Sequence, residues 1–216
     1  MGSVYWLYLI LLYSCVLYGF IYFKRLLFSY KLFVLFLLTT AISESLSSVF
    51  TEYLGYNTIL YHFYIPIQIL FNGAFYSLNN GTSKPFYTQT RFHIALFLSV
   101  SCFFNSIFVQ SVKFMPTYSL FLLVLFIVPV VLLSYKKMLL EPSQISILQQ
   151  PLFWINFGNI FFYTITLFSL SFMLIAKSKV SIDLSINILV YTNFILYTAF
   201  FNALRLASKK RKRAMI

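Results

Sequence analysis

Seven long apolar runs dominate this chain and leave little freedom in what it can fold into. An α-helix rises about 1.5 Å per residue, so roughly 20 mostly apolar residues cross the hydrocarbon core of a bilayer. The segments that qualify are 3–23, 30–50, 58–78, 92–112, 116–135, 151–176 and 184–204. Their apolar residues are continuous instead of alternating, which argues against a lipid-facing β-barrel. Only 9% of the 216 residues are charged and 61% are hydrophobic, whereas a soluble domain carries about 25% charged residues. This excludes a soluble enzyme, a disordered chain and a disulfide-stapled secreted domain. The expected fold is all-α: a polytopic membrane protein with a seven-helix transmembrane domain over 1–204 and a basic cytoplasmic tail over 205–216. The longest loop, 136–150, is too short for a soluble domain, so function is expected in the bilayer, the short loops or the tail.

Charge sets the expected orientation. Lys24 and Arg25 follow the first apolar run instead of preceding it, and no small-residue cleavage site is evident. The run therefore reads as a helix with its N-terminus outside, not as a cleaved signal peptide. With that orientation the inner segments hold 13 Lys and Arg, and the outer loops hold Lys113, Lys177 and Lys179. This asymmetry follows the positive-inside rule and requires an odd number of spans. A multi-pass protein of the cytoplasmic (inner) membrane is expected. The net charge of +12 is spread between apolar runs, so no nucleic-acid partner is expected. Lys209, Lys210, Arg211, Lys212 and Arg213 form a basic cluster beside the last span. It reads as a topology anchor that meets anionic lipid headgroups. Asn80-Gly81-Thr82 has the glycosylation pattern, but in an inner loop it is expected to stay unmodified. Tyr and Trp near the span ends fit an aromatic belt.

The polar residues inside the spans are few, and helical spacing groups them. Asn187, Tyr191, Thr198 and Asn202 share one face of the seventh span. Asn156, Asn159, Tyr163 and Thr166 share one face of the sixth, and Tyr61, His62, Gln68 and Asn72 lie on one side of the third. Thr40, Glu44, Ser47 and Thr51 form a stripe on the second. Amide and ionisable groups in hydrocarbon face the bundle interior or a cavity, so the four stripes are expected to point inward. Glu44 is the only acid within a span. It and His62 both lie roughly 6–9 Å below the outer boundary by helical rise, on adjacent antiparallel spans, where they are expected to meet. The alternative is helix-to-helix adhesion, since interhelical hydrogen bonds of this kind contribute roughly 0.6–2 kcal/mol.

Spans three and seven align at an offset of 130, matching Asn57 with Asn187, Tyr61 with Tyr191 and Asn72 with Asn202. Spans one and five align at an offset of 113, with Tyr5, Tyr22 and Lys24 matching Tyr118, Tyr135 and Lys137. The arrangement would be a parallel repeat of three helices, a linking fourth and three more, as in some transporters with a site between the halves.

Several chemistries lack their residues. Zinc catalysis needs three or four His, Cys or carboxylate ligands; only Glu44 and His62 lie at a shared depth, so neither metal nor cofactor is expected. An aspartyl dyad lacks its second carboxylate. No span holds an interior lysine for a retinal Schiff base, Lys31 lying at the very start of the second. A serine hydrolase could use His62 as base, but no Gly-rich nucleophile turn is present. Cys15 and Cys102 lie within apolar runs and read as small apolar groups.

The residues Glu44, Tyr61-His62-Phe63-Tyr64-Ile65-Pro66-Ile67, Trp154-Ile155-Asn156-Phe157-Gly158, Tyr163, Asn187 and Tyr197 resemble those of small bacterial seven-helix membrane proteins of undefined role. That resemblance implies a membrane sensor or an accessory to sensor kinases. The helix count is also similar to that of the small sugar transporters built as three, one and three helices. Their paired Pro-Gln motif is absent; this chain has Pro66-Ile67-Gln68 and Gln150-Pro151. The favoured expectation is a non-enzymatic sensor, receptor or signalling accessory. An interior polar pocket lined by Glu44, His62, Gln68, Asn72, Asn156, Asn159, Tyr163, Asn187 and Tyr191 would take a small molecule or a proton. A membrane signalling partner would receive the response. A small-solute transporter and an intramembrane lipid hydrolase are the alternatives.

Overall fold

The computed structural model describes residues 3–81, 84–141, 145–175 and 179–213. Among them the structure is all-helical, with α1 (Ser3–Ile21), α2 (Phe28–Leu54), α3 (Thr58–Leu78), α4 (Thr90–Phe104), α5 (Thr117–Leu140), α6 (Pro151–Ile175) and α7 (Lys179–Arg213). Among the described residues five stretches are long and apolar enough to cross a membrane: Phe28–Leu54, Thr90–Val109, Thr117–Leu140, Pro151–Ser169 and Asn187–Lys209. The apolar stretch of α1, Trp6–Ile21, is shorter. α3 has the length but carries His62, Gln68 and Asn72, which lower its hydropathy. The architecture is that of a multi-pass membrane protein.

Two helices depart from the expected boundaries. α4 leaves α-geometry after Phe104 and ends in a π-helical turn over Asn105–Val109. α7 runs through the basic cluster to Arg213, where a separate tail was expected. Lys and Arg are good helix formers, and cations near a helix C-terminus complement its dipole. Thr82 of the sequon, Lys177, and the side chains of Lys179, Lys210, Arg211, Lys212 and Arg213 lie outside the described residues.

The chain divides into two compact units, Met1–Leu27 with Val128–Ile216, and Phe28–Ile127. These do not follow the three-one-three division, because α1 packs with α7 and the boundary falls within α5. In the first unit, the Cys15 thiol donates to the Tyr197 carbonyl at 3.3 Å, and the Tyr18 and Ser208 hydroxyls meet at 3.1 Å. The Tyr8 and Tyr197 rings stack between the same helices. α6 lies against α7 at Gly158, where an added Cβ would stand 3.1–3.3 Å from Leu196, Phe200 and Ala199. A methyl there would make these side chains give by a few tenths of an ångström, and such close approach is the use membrane helices make of small residues.

The second unit is built on α3. Phe71 and Phe75 meet Tyr30, Phe33 and Phe36 of α2 in tilted and edge-on pairs. α2 ends at Gly55, whose φ of +76° suits glycine, and its amide bonds back to the Thr51 carbonyl at 3.1 Å. Asn57 in the following turn donates its side-chain amide to Ser47 Oγ of α2. On the opposite side, α3 and α4 come so close that a Cβ on Gly73 would overlap the Ala95 methyl. Arg91 reaches the Tyr76 carbonyl near the end of α3 at 3.4 Å.

Gly73→Ala is therefore expected to destabilise the protein by about 1–3 kcal/mol through overpacking. Ala95→Gly should restore part of that loss, although Gly in a helix itself costs about 1 kcal/mol. Thermal unfolding of both single variants and the double variant in detergent measures this coupling.

Candidate functional site

The most connected polar cluster joins the start of α3 to the end of α4 and the turn into α5. His62 sits in the second turn of α3 and is 1% exposed. Its Nδ1 lies 2.8 Å from Ser106 Oγ and its Nε2 lies 3.0 Å from the Phe114 carbonyl oxygen. A carbonyl only accepts, so Nε2 carries the proton that makes the second bond. In the neutral ring Nδ1 is then an acceptor aimed at the Ser106 hydroxyl. That hydroxyl has a second acceptor in the Cys102 carbonyl at 2.9 Å.

The π-helical turn presents these groups. A π-turn inserts one extra residue into a helix and recurs at functional positions. Here the Gln110 amide closes the turn on the Asn105 carbonyl, five residues back, at 2.8 Å. The side chains repeat that spacing, since Asn105 Nδ2 donates to Gln110 Oε1 at 2.9 Å and to Ser119 Oγ at 3.1 Å. Gln110 Nε2 donates to Thr117 Oγ1 at 2.9 Å, and the Tyr118 amide donates to Gln110 Oε1 at 3.3 Å. Thr58, opening α3, donates to the Val112 carbonyl at 2.7 Å. The Val112 and Phe114 carbonyls beyond the turn are thus met by side chains of α3, and the side-chain amides of Asn105 and Gln110 by hydroxyls of α5.

Glu44 and His62 do not form the expected pair. Each imidazole nitrogen has one in-plane bonding direction, and Ser106 and Phe114 occupy both. Glu44 is half-buried and stands within electrostatic reach of the Tyr64 hydroxyl, as does Tyr61. Tyr64 and Thr40 Oγ1 meet at 2.8 Å, one helical turn along α2 from Glu44.

The remaining expected site residues divide between the two units. Glu44, His62, Gln68 and Asn72 belong to the second, and Asn156, Asn159, Tyr163, Asn187 and Tyr191 to the first. Gln68 and Asn72 are buried on α3, with Asn72 Nδ2 donating to the Gln68 carbonyl at 2.9 Å. Asn156 is fully buried and joins α6 to α5 by donating to Ser134 Oγ at 2.9 Å. Asn159 and Tyr163 are buried further along α6. Asn187 and Tyr191 are exposed, Tyr191 by 59%, so the polar stripe expected on α7 faces outward at these two positions. Thr198 bonds the Phe194 carbonyl of its own helix. Lys209 is exposed near the end of α7.

Sequence reasoning missed Asn105, Ser106, Gln110, Thr117 and Ser119. The available signal was Asn105 and Gln110, two amides five residues apart at the end of an apolar run. That spacing suits a π-turn, not an α-helix.

Removing the ring by His62→Ala would strip the Phe114 carbonyl of its donor and Ser106 of one of its two acceptors. The expected loss is about 1–3 kcal/mol, against no more than about 1.7 kcal/mol for Asn105→Ala. Thermal unfolding in detergent separates the two. A larger loss for Asn105→Ala would place the centre of the cluster at the π-turn instead of at the ring.

Comparison with known proteins returns no match to a family model, a curated protein or a solved structure.

Proposed function

We propose that this chain is a seven-span membrane sensor or signalling accessory with its N-terminus outside and its basic C-terminal end in the cytoplasm. The thirteen-to-three distribution of Lys and Arg supports the orientation. In this reading α1 and α3 cross the membrane with the five more apolar helices. α1 contributes its apolar length, and α3 hides its polar side chains against neighbouring helices.

The observation that carries the sensing role is the hydrogen-bonded link from His62 to Ser106 and to the Phe114 carbonyl. Three separate chain segments are held by two bonds to one ring. Ser106 and Gln110 are only half-buried, so the cluster has an approachable edge. A small polar molecule that takes either partner's place on the ring would release the α4–α5 turn from α3. A ligand shifts a conformational equilibrium only through such differential contacts. The basic end of α7, where Lys209 is exposed, would hold the inner side against anionic lipid, at about 1 kcal/mol per basic residue near the surface, and present the response to a membrane partner.

Two measurements test this reading. A cysteine at Lys113 should react with a membrane-impermeant maleimide in intact cells, and one at Lys84 only after permeabilisation; the reverse pattern overturns the orientation. The sensing role predicts that the full chain, purified after cross-linking in its membrane, retains a signalling protein and supports no solute flux in vesicles. Flux abolished by Glu44→Gln would instead establish a transporter.

A further inference from the structure

We propose that Ser106 is a nucleophile, activated by His62 and presented to ester-linked lipid chains from the membrane side of the π-turn. This goes beyond the sensing role and does not depend on it.

The geometry has the three parts that an activated hydroxyl needs: a nucleophile, a base within hydrogen-bond reach and a group that orients the base. Ser106 Oγ is 2.8 Å from Nδ1, and the Phe114 carbonyl holds Nε2–H from the other side of the ring at 3.0 Å. That carbonyl fixes the tautomer in which Nδ1 is free to accept a proton, the task a buried carboxylate performs in other serine nucleophiles. The ring is buried while Ser106, the residue it faces, is half-buried. The Cys102 carbonyl gives the hydroxyl a resting partner at 2.9 Å, and rotation about the Ser106 side chain passes its proton from that carbonyl to the ring.

The surroundings define the substrate class. Phe104, Ile107 and Phe108, the sequence neighbours of Ser106, and Phe114 are all more than half exposed. On a membrane helix such a surface meets acyl chains, so the electrophile that reaches Ser106 is carried on a lipid. In the proposed step Nδ1 takes the hydroxyl proton as Oγ bonds the acyl carbon. The carbon–oxygen bond to the lipid alcohol then breaks, and that alcohol leaves with the proton from Nδ1. Water, deprotonated by the same nitrogen, cleaves the Ser106 ester, releasing a fatty acid and restoring the hydroxyl.

The test uses a long-alkyl fluorophosphonate, which bonds activated serines with loss of fluoride, on the full chain in lipid vesicles. Peptide mass spectrometry should locate the adduct on Ser106, and a short polyether fluorophosphonate should react more slowly. His62→Gln should slow labelling by about 10²- to 10⁴-fold, the usual contribution of a general base. Ser101→Ala, on an exposed serine bonded to its own helix, should leave it unchanged. An unlabelled Ser106 in the folded wild-type protein overturns the proposal. So does labelling at Ser106 that is indifferent to His62→Gln. Mapping on the wild-type protein decides the matter even if the His62 variant does not fold.

Discussion

Hydrocarbon offers no hydrogen-bond partner, and that constraint organises this molecule. An amide or hydroxyl placed in an apolar helix gains by finding a partner within the protein or at the membrane surface; among the described residues Ser77 Oγ, Asn156 Oδ1 and Thr166 Oγ1 are buried without one. Ser14, Ser45, Thr51, Ser101 and Thr192 bond the carbonyl four residues back on their own helices. Such bonds lie within one helix and join no two helices. Other bonds do the connecting. Asn156 reaches Ser134, Asn57 reaches Ser47, and His62 reaches two segments at once. Imidazole and amide groups carry donors and acceptors farther out from the backbone, so beyond a bond within their own helix, such as that of Asn72 to the Gln68 carbonyl, they can reach other helices.

Close backbone approach supplies the second kind of contact. Without water to expel between helices, association inside a bilayer rests on van der Waals packing, hydrogen bonds and small residues. Gly73 against Ala95 and Gly158 against Ala199 bring two helix pairs together. The aromatic pairs of α2 and α3 fill the wider gap on the other side of α3. α3 therefore has one neighbour brought near by the lack of side chains and another held off by rings. Its polar face, with His62, Gln68 and Asn72, is buried by these contacts, which lets a helix of lower hydropathy belong to so apolar a protein.

Much of the helical layout was legible in the sequence because apolar length is a long, redundant signal. Losing one residue from a run of twenty changes little, and α3 occupies Thr58–Leu78, the same residues as its apolar segment. Side-chain direction was less legible. A stripe computed from 100° per residue assumes an undisturbed helix and says only that residues share a face, not which neighbour covers it. The stripe on α3 is buried, while Asn187 and Tyr191 on α7 are exposed although their spacing was just as regular. The π-turn was invisible for a related reason, because its one-residue shift leaves the composition of the run unchanged and alters only which side chains face α3 and α5.

That shift matters for the chemistry of His62. The expected partner, Glu44, would have met the ring either as an ion pair or as a neutral acid beside a neutral imidazole. The partners present are a hydroxyl and a backbone carbonyl, and they give the ring a defined tautomer instead. A carbonyl on Nε2 cannot take the ring's proton, so it fixes that proton in place and leaves the opposite nitrogen to act as an acceptor. The hydroxyl on that side belongs to the π-turn, whose register is set by Asn105 and Gln110 and whose neighbours face outward. Position, tautomer and access at Ser106 thus follow from one irregular turn of helix.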